Sequence, residues 1–527
     1  MRTSFQILDG TKGCWSGFKV LPLVVLAGTG AVIGIGIAIT SLGLWGKTVT
    51  SVEKHRKHPV LKEDRISLLP DDVVSDIISR LNLIEAVRTR ILSRRWKNIL
   101  QSRSMLHFDC STFRSRILSR WWKNIFQYMT KLHSNCSMFG PIQYYDKCSH
   151  PHKLRFIKAV DQCLQLFSGQ SISYFGLKCC LGEEFASDFN RWMQSTVTFG
   201  VQILNVKFCS SDEFHPFPFQ LLFEAASLER LYLFNCSLQP SFKGQFKSLQ
   251  FITLSEVPLD RGEFTSILSS CVNLQAITMA RSKLPPKLCI SGQCLQLRSV
   301  RIWSCYGVEE IEIRHGSLSE FRCYSDSMIR YSLPFAPKLD LVFINFNARG
   351  TVPYFFREVA KDCGRLTILL IQTKTDALPY IPAKANTLCN LRVLYLLTAI
   401  DTEADLLGVR PILAACPLLE IFRLLVRGPV GNETRDVECS AGHHARLRDM
   451  ELEGFRGRSN EIEFASYILR SASALERLFL VTSYRSFLSN FSWTDDKSYV
   501  MDDEECQLIH KELEGQAISS KARVIFL

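Results

Sequence analysis

From about residue 170 onward the chain keeps returning to one short frame, Leu-x-x-Leu-x-Leu-x-x-Cys/Asn, at intervals of roughly 20–30 residues. It reads Ile172-Phe175-Leu177-Cys180, then Val201-Leu204-Val206-Cys209, then Leu228-Leu231-Leu233-Cys236. Leu249-Ile252-Leu254, Leu274-Ile277-Met279 and Leu297-Val300-Ile302-Cys305 follow. Weaker copies start at Leu318, Leu339, Leu366, Leu391, Leu419, Leu447 and Leu475. Alternating apolar residues specify one short strand per unit, and no unit of this size buries its apolar side alone. Stacking buries it. The strands line up in parallel, their apolar residues fill a curved solenoid, and the uneven intervals predict uneven curvature.

The interval is the leucine-rich-repeat period. It accounts for much of the cysteine content: Cys180, Cys209, Cys236 and Cys305 fall where the chain turns inward after the strand, which favours a structural role over metal binding. The chain has 19 cysteines in 527 residues, without paired short spacings, a pattern of reduced thiols and not of a disulfide scaffold. A 46% apolar and 22% charged composition suits two to four globular domains. The net charge of +12 is spread through the chain. No long basic run carries interleaved aromatics, so no nucleic-acid partner is expected.

Ahead of the repeats, Glu63 to Leu100 reads as three short helices. Pro70 suits a first turn, and Asp71 and Asp72 complement the helix dipole. Val73, Val74, Ile77, Ile78 and Leu81 then recur on one face. Further helices are expected through Leu83–Ala86–Val87 and Ile91–Leu92–Trp96–Ile99–Leu100. So little chain holds little core, and part of the apolar surface needs a partner. The run Asp64-Arg65-Ile66-Ser67-x-Leu69-Pro70-Asp71-Asp72, with Ile77-Ile78-Ser79-x-Leu81 and Leu92-Ser93-Arg94-Arg95-Trp96, resembles a plant F-box. Asn82 and Arg90 depart from the usual proline and serine, without removing an apolar contact. The resemblance implies docking onto the linker subunit of an SCF (cullin–RING) ubiquitin ligase, and onto the cullin through it. Leu69, Pro70, Val74, Ile77, Ile78 and Leu81 would make that contact, supported by Trp96 and Leu100.

Two features are unusual around this module. Val20 to Gly46 runs without a charge and is long enough as a helix to cross a bilayer, with a small-residue spacing at Gly30 and Gly34. Lys47, Lys54, Arg56, Lys57 and Lys62 follow it, which would place everything after residue 47 in the cytosol. Residues 89–99 and 106–113 also return as 115–125 and 132–139, a tandem copy of the last helix and its exit strand. That copy reads best as a tolerated insertion.

At the C-terminal end, Leu447-Arg448-x-Met450-x-Leu452-x-Gly454-Phe455, Asn460-Glu461-Ile462-Glu463-Phe464 and Ala474-Leu475-Glu476-Arg477-Leu478 resemble the FBD domain. Ala522 to Leu527 would be its final strand. No catalytic constellation emerges. Gly46-Lys47-Thr48 lacks the earlier glycine of a phosphate loop, since position 41 is Ser41. Cys148, His150 and His152 have no second ligand pair nearby, and His443-His444 suits an exposed loop.

The expected organisation is therefore a leader (1–19), a candidate transmembrane helix (20–46) and a basic linker (47–62). An F-box (63–113) and the tandem copy (114–139) follow, then an irregular α/β leucine-rich-repeat solenoid (140–440) and an FBD-like cap (441–527). The expected function is that of a non-catalytic, cofactor-free adaptor, cytosolic or nuclear by family resemblance, with residues 20–46 as its candidate membrane anchor. Its F-box holds the ligase and its repeats bind an unknown target protein. The rival is a membrane leucine-rich-repeat binding protein, with sequons at Asn135, Asn235, Asn432 and Asn490. Asn235 lies inside the repeat frame, where a glycan fits poorly.

Overall fold

The computed structural model describes residues 68–80, 95, 105–110, 149–167, 171–209, 214–238, 244–292, 294, 296–346, 350–376, 387–400, 406–425, 443–487, 493–496 and 501–527. The apolar run at 20–46, the basic linker and the tandem copy lie outside them, as do the expected second and third helices except Arg95. Among the described residues, no helix is long and apolar enough to cross a membrane. The chain forms two units, Met1–Leu69 and Pro70–Leu527. Of the first, only Leu68 (exposed) and Leu69 (half-buried) are described.

The second unit is built on one sheet of fifteen parallel strands, whose spatial order is the order of the chain. These are β1 (Met105–Asp109), β2 (Tyr174–Cys179), β3 (Ile203–Phe208), β4 (Arg230–Phe234) and β5 (Phe251–Ser255). Next come β6 (Ala276–Ala280), β7 (Ser299–Trp303), β8 (Glu320–Ser325), β9 (Leu341–Phe346) and β10 (Ile368–Asp376). The last are β11 (Val393–Ile400), β12 (Ile421–Leu425), β13 (Asp449–Glu453), β14 (Arg477–Val481) and β15 (Arg523–Phe526). All thirteen repeat frames become strands, β2 to β14. Their paired apolar residues face the same side in matched register, Phe175 against Leu204 and Leu204 against Leu231 for example, and none is more than 2% exposed. Each such side chain contributes about 1.5–3 kcal/mol of burial.

The sheet has a strand at each end that the frame does not contain. β1 pairs with β2 from Met105–Tyr174 to Asp109–Lys178, so the exit strand of the F-box-like stretch opens the repeat sheet. β15 pairs with β14, as the terminal segment suggested.

Interval length decides how each unit returns. Helices α3 (Ala186–Thr198), α4 (Arg261–Ser270) and α6 (Ser459–Ser471) lie in the longer units, those that start at Ile172, Leu249 and Leu447. α5 (Arg410–Ala415) does as well, and α2 (His150–Leu166) precedes the first frame. The units starting at Leu274, Leu297 and Leu318 are shorter. They return through strands Lys287–Ser291, Glu310–Arg314 and Arg330–Phe335, which form a second parallel sheet. An extended segment spans about 3.3 Å per residue against about 1.5 Å for a helix, so it covers the core with fewer residues.

The turn after the strand also recurs. Asn235, Glu256, Arg281 and Ser304 follow β4 to β7 and hold left-handed φ values of 55°, 57°, 47° and 49°. Each donates its N–H to a carbonyl at the end of the next strand at 2.8–2.9 Å, extending the ladder by one rung. Left-handed backbone costs a non-glycine residue about 1–2 kcal/mol. Asparagine tolerates it best, and Asn235 also gives its amide to the Cys209 carbonyl at 3.1 Å. Arg281 is held by Glu256 at 3.0 Å and by the Ser255 hydroxyl at 2.9 Å.

Candidate functional site

Two surfaces qualify as sites: the first helix and the outer face of the sheet. Helix α1 (Asp71–Arg80) begins after Pro70, whose carbonyl accepts the Val74 N–H at 3.0 Å. Both aspartates lie in its first turn, and Arg95 donates to Asp71 from outside the helix. The helix divides its apolar residues unevenly. Val74 is fully buried, Ile77 is half-buried and Val73 is 39% exposed.

The structure thus separates residues that the sequence grouped together. Pro70 is exposed and Leu69 half-buried, while Val74 is closed off from any partner in this conformation. Ile78 lies in the helix, but its side chain is outside the described set, and Leu81, Trp96 and Leu100 are outside it altogether. Leu68 at 76% and Val73 at 39% are exposed apolar side chains that the spacing argument left out of the contact set. Leu68 precedes the helical period, and Val73 sits beside Val74 with nothing in the sequence to say which turns inward.

On the outer face, register aligns one central residue per strand. Asn205, Tyr232, Thr253 and Thr278 lead to Arg301 and Arg322, and then to Phe343, Leu370 and Tyr395. Arg423, Glu451 and Phe479 continue the row. Its apolar middle is shielded: Phe343 and Leu370 are 4% exposed and Tyr395 6%. Strand β9 is buried at all six positions, as its near-continuous apolar sequence suits.

Charge clusters flank that middle. Glu320 lies beside Arg301 (3.2 Å) and Arg322. Burial alone would raise the Glu320 carboxyl, but the two guanidinium groups outweigh it and hold its pKa low. Arg423 stacks 4.7 Å from the Tyr395 ring centroid and bonds Glu451 at 2.6 Å. Burial opposes its charge, yet Glu451, Tyr395 and Glu453 more than compensate and raise its pKa. Planar guanidinium groups on aromatic and carboxylate neighbours are rigid polar anchors of the kind that protein interfaces use.

The other candidates divide by burial. Cys236 and Cys305 are buried, and burial pushes the Cys305 thiol up to about 11. Cys180 and Cys209 are only half-buried, contrary to the expectation that all four are enclosed. His152 bonds the Ser149 hydroxyl at 2.9 Å on the first turn of α2, while Cys148 is outside the described residues. His443 is exposed, as a loop residue should be. His444 is not: it meets the Tyr467 hydroxyl at 2.9 Å, and burial lowers its pKa to about 4. The Asn235 amide is committed to backbone carbonyls, which leaves it badly placed to carry a glycan.

Comparison with known proteins agrees with this architecture. An F-box domain model matches residues 66–108, and the model of the At1g61320/AtMIF1 LRR domain matches residues 163–520. Putative F-box/LRR-repeat protein At3g58880 of Arabidopsis thaliana is 28% identical over 221 residues, 41% of this chain and 42% of that one. Putative F-box/FBD/LRR-repeat protein At5g22670 of the same plant is 47% identical over 57 residues, 11% of this chain and 13% of that one. F-box/FBD/LRR-repeat protein At5g56420, also from Arabidopsis thaliana, is 27% identical over 224 residues, 41% and 44% of the two chains. The chain thus spans less than half the length of these relatives. A crystal structure of a TLR13–ssRNA13 complex matches at a TM-score of 0.32 and 14% identity, over 62% of this chain and 52% of that one, too weak a likeness to bear on the argument. With an F-box ahead of a repeat domain that fills two thirds of its length, the chain belongs to the plant F-box/LRR proteins, in the At1g61320/AtMIF1 LRR-domain family.

Proposed function

We propose that this protein is a non-catalytic substrate-recognition adaptor of an SCF ubiquitin ligase. Its F-box (63–113) docks on the linker subunit, and the cullin is reached through that subunit. The solenoid (140–440) carries the target protein, and an FBD-like segment (441–527) caps the open end of the sheet. One observation supports this most: β1 lies at the end of the F-box match and is also the first strand of the repeat sheet. Docking stretch and recognition surface are then joined by a hydrogen-bonded ladder. Such a connection raises the effective concentration of a bound target near the conjugating enzyme better than a flexible tether does. The contact set for the linker is Leu69, Pro70, Val74, Ile77, Ile78 and Leu81, with Trp96 and Leu100 in support; Val74, buried in the unbound chain, joins the contact only if the helix shifts on docking.

The test is capture of the recombinant linker subunit by the full chain and by an Ile77→Asp/Ile78→Asp variant. An unpaired charge in an apolar contact costs several kcal/mol, so the variant should capture none while its repeat domain melts unchanged. Equal capture by both proteins would reject the docking assignment.

A further inference from the structure

The residue that follows each strand is left-handed after β4 to β7, but after the first three strands it is cysteine: Cys110, Cys180 and Cys209. Their sulfurs converge. Cys110 Sγ lies 3.3 Å from Cys180 Sγ and 3.5 Å from Cys209 Sγ, and all three lie within 4.8 Å of one another. Cys110 is 3% exposed, and the other two are half-buried. The backbone beneath them is fixed by the Cys209 N–H on the Cys179 carbonyl at 2.8 Å and by the Asn235 amide on the Cys209 carbonyl. On the adjacent rungs, Lys178 pairs with Asp109 at 3.0 Å and ties β1 to β2 a second time.

We propose that Cys110, Cys180 and Cys209 form a three-thiolate site for a soft d10 cation of the Zn2+ class, placed where the F-box exit strand joins the repeat sheet. Tetrahedral zinc holds thiolates at about 2.3 Å, which sets its sulfurs about 3.8 Å apart. The two short separations here need only a few tenths of an ångström of adjustment. Binding releases the three thiol protons to solvent and changes no oxidation state. The fourth coordination position is left to water or to a further ligand. A disulfide would use two of the sulfurs, strand the third and need an external oxidant, so the convergence of three favours an ion. The site would staple β1, which is separated from β2 by all of the chain between Cys110 and Ser173, to the strands on which the recognition surface is built.

The test is Co2+ titration of the reduced, metal-free full-length chain, read by absorption, followed by Zn2+ displacement. One Co2+ per chain with a sulfur-to-cobalt charge-transfer band that Zn2+ bleaches is the expected result. Cys110→Ser should lose the band and weaken Zn2+ binding more than about a hundredfold, beyond what loss of a mere supporting contact costs. Cys236→Ser and Cys305→Ser should keep it. Cys209→Ser, at a half-buried position, repeats the test if Cys110→Ser fails to fold. Zn2+ should also raise the unfolding midpoint of the parent chain and leave that of Cys209→Ser where it was. A band that survives both cluster variants, no band in the parent, or uptake of no ion by a chain that instead forms a Cys110–Cys180 disulfide would each overturn the proposal.

Discussion

The units from Leu274 to Leu339 and those from Leu419 to the C-terminus bury the same kind of strand in two different ways. In the first region the returns are strands, and the second sheet they form is edged by ion pairs such as Lys287 with Glu310 (2.7 Å) and Glu312 (3.1 Å). In the second region α6 covers the core, and its anchoring charge is inside. Glu461 is fully buried, accepting the N–H groups of Arg456 at 2.8 Å and Arg458 at 3.2 Å. The same solenoid thus pairs its buried acid Glu312 with edge cations where returns are short, and encloses both Glu453 and Glu461 where they are long. Stability of the first region should depend chiefly on apolar packing, and that of the second on protonation as well.

The largest effects should be common to both regions. Ile311 in the middle strand of the second sheet and Ile468 in α6 are both fully buried. Replacing either by alanine should cost about 2–5 kcal/mol in chemical denaturation. Loss of hydrogen-exchange protection should centre on the units flanking each substitution, since repeat units contact mainly their neighbours. Equal loss throughout the sheet would mean that the two regions unfold as one.

A difference of degree should emerge with acid. The pKa of His444 is lowered to about 4 by burial, so the unfolded chain binds this proton more readily than the folded one. The stability that the neutral ring contributes is complete above the ordinary value near 6.5 and is lost as pH falls towards 4, by on the order of 2 kcal/mol. His315 in the first region is lowered by burial too, but its backbone bond with Cys294 opposes the shift. His444→Gln should therefore flatten the acid part of the pH–stability curve. An unchanged slope would remove His444 from the comparison.

Glu461 works in the opposite sense. Burial raises its pKa despite the backbone donors and the nearby arginines, so folding favours the protonated acid and stability declines as pH rises through that value. Glu461→Gln keeps the shape and the accepting oxygen. It should stabilise the protein at pH 7 by on the order of 1 kcal/mol and have no effect in acid, where both states are neutral. Glu263 at the start of α4 is also raised by burial but is 9% exposed, so Glu263→Gln should gain less. The smallest effect belongs to the edge: Lys287→Ala should leave the melting midpoint unchanged, because Lys287 is exposed and Glu312 keeps Arg314 as its partner. A clear drop would show that the second sheet relies on its edge charges after all.

Much of this architecture is legible in the sequence, because two apolar residues at i and i+2, repeated from unit to unit, fix strand, register and stacking together. What period alone cannot decide is the return. Leu288 and Ile290, or Ile311 and Ile313, are apolar pairs too short to separate strand from helix, and only the length of the interval favours the strand. β1 was readable as an exit strand from Leu106 and Phe108, but its partner was not, since a long stretch of chain and another copy of the same motif intervene. The helix after Pro70 was legible in outline. The division between Val73 and Val74 was not, because adjacent valines give the period no way to choose. The sulfur cluster was hidden for a related reason: its three members stand in separate units, and only strand stacking brings them together.

The order of the sheet has a consequence for synthesis. Because every strand pairs with the one made just before it, each unit leaves the ribosome with its docking edge already present. A unit of about 25 residues takes on the order of 1–5 s to be made, far longer than local strand pairing takes in isolated hairpins, about 1–10 μs. The growing chain always exposes one unfinished edge, at the unit most recently added. Truncation anywhere within the repeats would leave that edge uncovered, and a parallel sheet stopped mid-course offers its bare ladder to any strand nearby. Incomplete products of this chain should therefore be prone to aggregate wherever within the repeats they stop.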